Sequence, residues 1–163
     1  MEAVRDRTLE RRLSGEEGFT LIELMVVVLI IGILVSIALP TFLGARTRTQ
    51  DRAAQAVLHY GLDASGTYFS DKDSYTGFTT VTAAQVEPSL RWYASAAALV
   101  GASGNRSLAI VTANGNQYLE VALSDSGTYF GVAYEASTGG GETFCHSSTT
   151  PTWALPSDCV NGW

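Results

Sequence analysis

The stretch "GFTLIELMVVVLIIGILVSIALP", residues Gly18 to Pro40, decides how the rest of the chain is read. From Phe19 to Leu39 it is apolar except for Thr20, Glu23, Gly32 and Ser36. As a helix this run would extend about 31 Å, which matches the hydrocarbon core of a bilayer. A single carboxylate, Glu23, stands near its start. An ionisable side chain in a membrane-length segment costs about 2.5–3.5 kcal/mol at the centre of the span, so its presence points to function. Glu23 follows Phe19 by one helical turn, about 6 Å along the axis, which puts it near a membrane face and lowers that cost.

Upstream, residues 1–18 are charged and lack an apolar stripe, with Arg5, Arg7, Arg11 and Arg12 set among acids, as expected of a tail. Downstream, "TFLGARTRTQDRAAQAVLHYGLDASGTYF" still reads as helix, now amphipathic. Ala53, Val57, Tyr60, Ala64 and Tyr68 follow spacings of three and four, so this stripe is expected to pack on a globular body. Pro40 removes one backbone hydrogen bond and is expected to kink the helix without ending it. Helix is therefore predicted from about 19 to about 69.

Residues 70 to about 104 are predicted to be a long connecting loop, with one short helical turn before Pro88. Three strand-like runs follow, at Ser107–Ala113, Gln117–Leu123 and Thr128–Ala136, separated by "NGN" and "SDSG" turn chemistry. The predicted fold is α+β, one long N-terminal helix packed on a small antiparallel meander of three or more strands. "STGGGE" reads as a flexible turn into a C-terminal segment of little regular structure. Cys145 and Cys159 are the only cysteines, an even count that permits pairing if this end reaches an oxidising compartment. Such a bond would close a loop of about 15 residues and stabilise by about 3 kcal/mol in the chain-entropy model.

At 163 residues, with 46% apolar content, the chain has room for one modest domain. A net charge of −6 and a single lysine, Lys72, argue against a general grip on nucleic acid or anionic lipid, and no direct nucleic-acid site is identified.

"Gly-Phe-Thr-Leu-Ile-Glu" followed by the apolar run resembles the processing signal of the type IV pilin family, which includes the pseudopilins of type II secretion. The resemblance covers Gly18 to Pro40 closely; the order of helix, loop, meander and cysteine pair agrees more loosely. It implies a membrane peptidase that cuts between Gly18 and Phe19 and methylates the Phe19 amine. Glycine suits the cut because a residue without Cβ lets a protease approach the backbone. The organisation implied is a cytoplasmic leader, 1–18; a transmembrane and filament-core helix half, 19–40; an amphipathic half, 41–69; and a globular part with the meander and disulfide loop, 70–163.

The resemblance also implies that Glu23 pairs with the N-terminal amine of a neighbouring subunit during assembly, acting as a register key. A second reading has Glu23 neutralise its own Phe19 amine, and both can hold in sequence. Gly32 and Pro40 are implied to let the helix stretch or melt on entry into the filament, although a packing role for Gly32 stays open. The partners implied are further copies of the chain in a helical filament, a prepilin peptidase and methyltransferase, a pilus assembly platform, and membrane lipid before assembly.

The function expected is a structural subunit of a type IV pilus-like surface filament, held in the cytoplasmic membrane by a single pass with its C-terminal domain outside, then polymerised. Four arginines before the span and Arg46, Arg48 and Arg52 after it give little charge asymmetry, so orientation rests on the resemblance. Adhesion, motility and DNA uptake are all compatible uses. The alternatives are a pseudopilin of a type II secretion system and a secreted soluble binding domain cleaved after "Leu43-Gly44-Ala45", for which the apolar run is long.

Neither catalysis nor a cofactor is expected. No nucleophile motif is found, and His59 and His146 have no partners at metal-ligand spacing. "Asp71-Lys72-Asp73-Ser74" lacks calcium-loop spacing and reads as a solvated turn. Asn105-Arg106-Ser107 and the hydroxyls of Ser147 to Thr150 match sugar-acceptor patterns but are read as unmodified surface. Trp153 is read as local packing within the cysteine loop.

Overall fold

The computed structural model of the chain describes residues 18–102, 106–136, 140–160 and 162–163. The predicted leader up to residue 17, and Asn105 of the sugar-acceptor pattern, lie outside them. In chain order the elements are α1 (Leu21–Lys72), α2 (Thr80–Val86), β1 (Arg91–Tyr93), a 3-10 turn (Ala96–Leu99), β2 (Ser107–Asn114), β3 (Gln117–Leu123), β4 (Tyr129–Glu135), β5 (Glu142–Ser147) and a second 3-10 turn (Pro156–Asp158). The chain divides into two units, Met1–Leu43 and Gly44–Trp163. The first supplies the apolar half of α1; the second is the packed body.

The helix expected over 19–69 is found as α1, and it continues through Pro40. It ends at Asp73, which adopts a left-handed backbone, φ +52°, while its N–H donates to the Phe69 carbonyl at 2.7 Å. Aspartate tolerates that conformation better than most residues, so the acidic turn serves as the helix stop.

Within the body, α1 buries Ala54, Val57, Leu58, Gly61, Ala64 and Ser65. The predicted stripe is corrected here: Val57 and Ala64 face inward, Ala53 and Tyr68 are half-buried, and Tyr60 is 60% exposed. Two stripes share Val57 and Ala64. The one that wins contains Gly61, where the helix backbone comes close to the sheet. A Cβ at residue 61 would overlap both carboxyl oxygens of Glu120 and lie 2.5 Å from Leu108 Cδ1.

The sheet has order β1-β2-β3-β4-β5, with β1 parallel to β2 and every other pair antiparallel. Gly115, φ +52°, turns β2 into β3, and Gly127, φ +91°, lies in the turn from β3 to β4. Both are backbone conformations that glycine adopts without a Cβ penalty. Alternation along β2 and β3 sends Leu108, Ile110, Tyr118 and Ala122 into clusters shared with α1, Tyr75 and Phe78. Ala109, Leu119 and Val121 face the opposite way, where Ala96, Leu99, Trp153 and the Cys145–Cys159 disulfide cover them.

The expected meander matches β2, β3 and β4, but two parts of the prediction need correction. The short helical turn expected before Pro88 is found as α2, but the connecting region also holds β1 and the first 3-10 turn, which the loop reading did not include. β1 is three residues long and parallel, a pairing that hydrophobic periodicity does not reveal. The C-terminal segment contributes β5, which pairs with β4 from Tyr129↔Ser147 to Tyr134↔Glu142. Only Cys145 of its residues is buried, so β5 is held by backbone hydrogen bonds and one covalent tie rather than by an apolar run. Gly131 lies opposite Cys145, and a Cβ there would stand 2.8 Å from Cys145 Sγ and 2.9 Å from the Trp153 ring. Trp153 therefore packs on backbone, as read from the sequence.

The two glycines on α1 should respond in opposite directions to alanine. Gly61→Ala is expected to lower stability by about 1–3 kcal/mol, because the methyl overpacks the helix against β3. Gly66→Ala meets nothing within 4 Å and should raise stability by up to about 1 kcal/mol through helix propensity. Denaturant unfolding of the full chain in detergent checks both signs.

Candidate processing and assembly site

Gly18, Phe19 and Thr20 precede the helix and are exposed, and nothing lies within 4 Å of a Cβ placed on Gly18. The Gly18–Phe19 peptide bond thus sits in open, non-helical backbone two residues before α1 begins at Leu21. A protease needs its target reachable, and this bond is exposed.

Glu23 is part of a feature that the sequence reading passed over. Its Oε2 accepts hydrogen bonds from the Thr20 backbone N–H at 2.9 Å and the Thr20 hydroxyl at 2.6 Å. In return the Thr20 hydroxyl accepts from the Glu23 N–H at 3.3 Å. This is a capping box, which satisfies orphan N–H groups at the first turn and places a negative charge at the positive end of the helix dipole. The signal was present as Thr20-Leu21-Ile22-Glu23, the threonine and glutamate separated as such boxes require. One oxygen of Glu23, Oε2, carries both bonds to Thr20, and the other makes none among the described residues.

Beyond the cap, every large apolar side chain from Phe19 to Leu43 is exposed, from 44% at Val35 to 86% at Phe19. Among the described residues one helix is long and apolar enough to cross a membrane, and none of its most apolar stretch is buried within the protein. Such a surface is unstable in water and calls for lipid or protein against it.

Gly32 has open space around its Cα. Pro40 supplies no N–H to the carbonyl one turn before it, at Ser36, and the Ser36 hydroxyl donates instead to Ile33 at 2.7 Å. Thr41 donates its hydroxyl to the Ile37 carbonyl at 3.5 Å. Side-chain bonds of this kind compete weakly with the helical ladder. The span from Gly32 to Thr41 therefore combines a flexible residue, a missing ladder bond and two such competitors.

The remaining sequence candidates serve packing or structure. His59 lays its ring against Phe144 and Trp163, with centroids 6.1 and 5.9 Å away. His146 Nδ1 lies 2.6 Å from the Gly162 carbonyl oxygen. No cluster of three or more metal-ligating side chains occurs among the described residues. Asp158, whose carboxylate accepts from the Ala154 and Leu155 N–H groups at 2.9 Å, is held below the usual carboxylate range by those bonds and shapes the disulfide loop.

The prokaryotic N-terminal methylation motif matches residues 13–39. The chain is similar to the type IV major pilin protein PilA of Myxococcus xanthus, with 48% identity over 61 residues, covering 37% of this chain and 28% of that protein. It is 39% identical over 64 residues to the type IV wide pilus major component PilA4 of Thermus thermophilus, 39% of this chain and 49% of that one. Over 57 residues it is 46% identical to the fimbrial protein EcpC of Eikenella corrodens, covering 35% and 37% of the two chains. The chain thus spans between about a quarter and a half of the length of these relatives. No solved structure matches it. Over these parts of its length the chain is similar to type IV pilins, and it carries a single long helix packed on a mostly antiparallel sheet.

Proposed function

We propose that the chain is a structural subunit of a type IV pilus-like surface filament, anchored in the cytoplasmic membrane until it is processed and then polymerised through its apolar helix half. The observation that carries this reading is the exposed apolar surface from Phe19 to Leu43, interrupted by a single carboxylate and headed by an open Gly18–Phe19 bond. Burying a large apolar side chain is worth about 1.5–3 kcal/mol, so a segment this long gains tens of kcal/mol from lipid or from like segments. Lipid covers it while the subunit waits. Neighbouring copies cover it afterwards.

In this reading residues 1–18 are a cytoplasmic leader, the body lies on the outer face of the membrane, and the working partners are a prepilin peptidase and methyltransferase, an assembly platform and other copies of the chain. Cleavage creates a cation at Phe19, one helical turn from Glu23. A carboxylate moved into hydrocarbon is stabilised by meeting such a cation, and a subunit entering out of register leaves both charges unpaired. The capping box holds Glu23 at the helix start, where a neighbour's amine can reach its less occupied oxygen. The names of the relatives favour a pilus subunit over a secretion pseudopilin, and a role as scaffold rather than enzyme.

Processing is expected between Gly18 and Phe19, so mass spectrometry of the mature protein should find N-methylated Phe19 at its start. A mature N-terminus at Arg46 would instead mark an ordinary secreted domain. Gly18→Leu should block the cut and leave precursor in the membrane.

Glu23→Ala should leave the protein inserted and its body folded while lowering the yield of sheared filaments about tenfold or more, the effect of about 1.4 kcal/mol per contact. Electron microscopy and shearing read the fibres; protease resistance of the body reads the fold. Normal fibre yield would remove Glu23 from the assembly role.

A further inference from the structure

Glu120 sits at the middle of β3, opposite Ile110 of β2 and Val132 of β4, on the face covered by α1. It is fully buried. Its Oε2 accepts a hydrogen bond from the Tyr118 hydroxyl at 2.6 Å, and its Oε1 has no hydrogen-bond partner among the described residues. Gly61 of α1 lies directly over both oxygens, since a Cβ there would overlap them. Neither the filament reading nor the disulfide explains a carboxyl in this place.

The groups around it offer no compensation for a negative charge. From α1, Asp63 contributes repulsion, and His59, two residues before Gly61, turns its ring to Phe144 and Trp163. β2 contains no ionisable residue, and Glu135 of β4 is at the far end of its strand, where it accepts from the Gln117 amide at 3.4 Å. Tyr118 and Tyr75 stack at 5.2 Å, with Tyr134 edge-on to Tyr75 at 6.2 Å. Burial is the main cause that pushes the Tyr75 hydroxyl up to about 12, with Tyr134 and Glu120 adding to it. No lysine or arginine is among these neighbours.

We propose that Glu120 is a neutral carboxylic acid in the folded body, and that its ionisation as the pH rises is a built-in release for the contact between α1 and the sheet. The acid form leaves no net charge at the unpartnered Oε1 beneath Gly61. The ionised form places an uncompensated charge between helix and sheet, which only movement of α1 or entry of water can relieve. Burial holds the carboxyl well above the usual range; the bond from Tyr118 opposes this in part, and Asp63 adds to it.

The sign of the pH dependence follows from that direction. An unfolded glutamate titrates near about 4.3, and between that value and its raised folded value the native state holds the extra proton. Stability supported by Glu120 is thus fully present below about pH 4.3 and is lost as the pH rises toward the folded value.

The test uses the full chain in detergent. Infrared spectra with labelled glutamate should show a protonated carboxyl at neutral pH that disappears in Glu120→Gln. In urea the unfolding constant of the unsubstituted chain should rise by up to about tenfold per pH unit above that of Glu120→Gln as the pH increases from about 5. Backbone exchange over residues 57–65 should accelerate with pH in the unsubstituted chain relative to the variant. Tyr118→Phe removes the bond that favours the charged form, so the loss of stability should begin at the same pH but continue to higher pH; it decides the matter if Glu120→Gln does not fold. Absence of a protonated carboxyl at neutral pH, or equal pH slopes for the unsubstituted chain and Glu120→Gln, would overturn the proposal.

Discussion

The body depends on how closely α1 approaches β3. Gly61 has no side chain, and that absence lets the helix backbone settle over Glu120 and Leu108. Once it does, Leu58, Ala54 and Ala64 reach the clusters formed by Leu108, Phe130, Ile110 and Tyr118. The aromatic group of Tyr75, Phe78 and Tyr118 then closes the end of the interface next to the helix stop at Asp73. A larger residue at position 61 would hold the helix away from all of these at once, because interiors packed at crystal density do not absorb an extra methyl locally.

A helix on one face leaves the other face of the sheet to be covered. Leu119, Val121 and Ala133 are apolar there and receive Ala96, Leu99, Trp153 and the disulfide. This cover is made of turns and loop, which carry little intrinsic order of their own. The bond from Cys145 to Cys159 therefore limits the freedom of the segment that has the fewest regular hydrogen bonds, and the close fit of Trp153 on Gly131 uses the space that a side chain would occupy.

The first unit follows a different logic. Its large apolar side chains are exposed, and the capping box at Thr20 and Glu23 orders the start of its helix. The ladder is weakest between Gly32 and Pro40. Glu23 combines two tasks in one carboxyl, ending the helix cleanly and carrying the only negative charge in the apolar run. A side chain that caps its own helix is also held in place, which suits the register role proposed for it.

Local chemistry was legible wherever it acts alone. The membrane-length run, the open glycine before it, the turn glycines and the three alternating strands all follow from residue type and spacing, because a helix in lipid, a tight turn and a half-buried strand each have a short-range rule. What escaped had no such rule. β1 and β5 exist because neighbouring strands offer them hydrogen bonds, and the α1 stripe read from the sequence shared only Val57 and Ala64 with the fully buried set. Contact with the sheet chose the set containing Gly61. Glu120 read in the sequence as one polar residue in a strand, and only the placement of α1 over it made it a buried acid without a counter-charge. Periodicity reports which faces are apolar; the distance between two faces, and therefore what a carboxyl caught between them must do, is settled by packing.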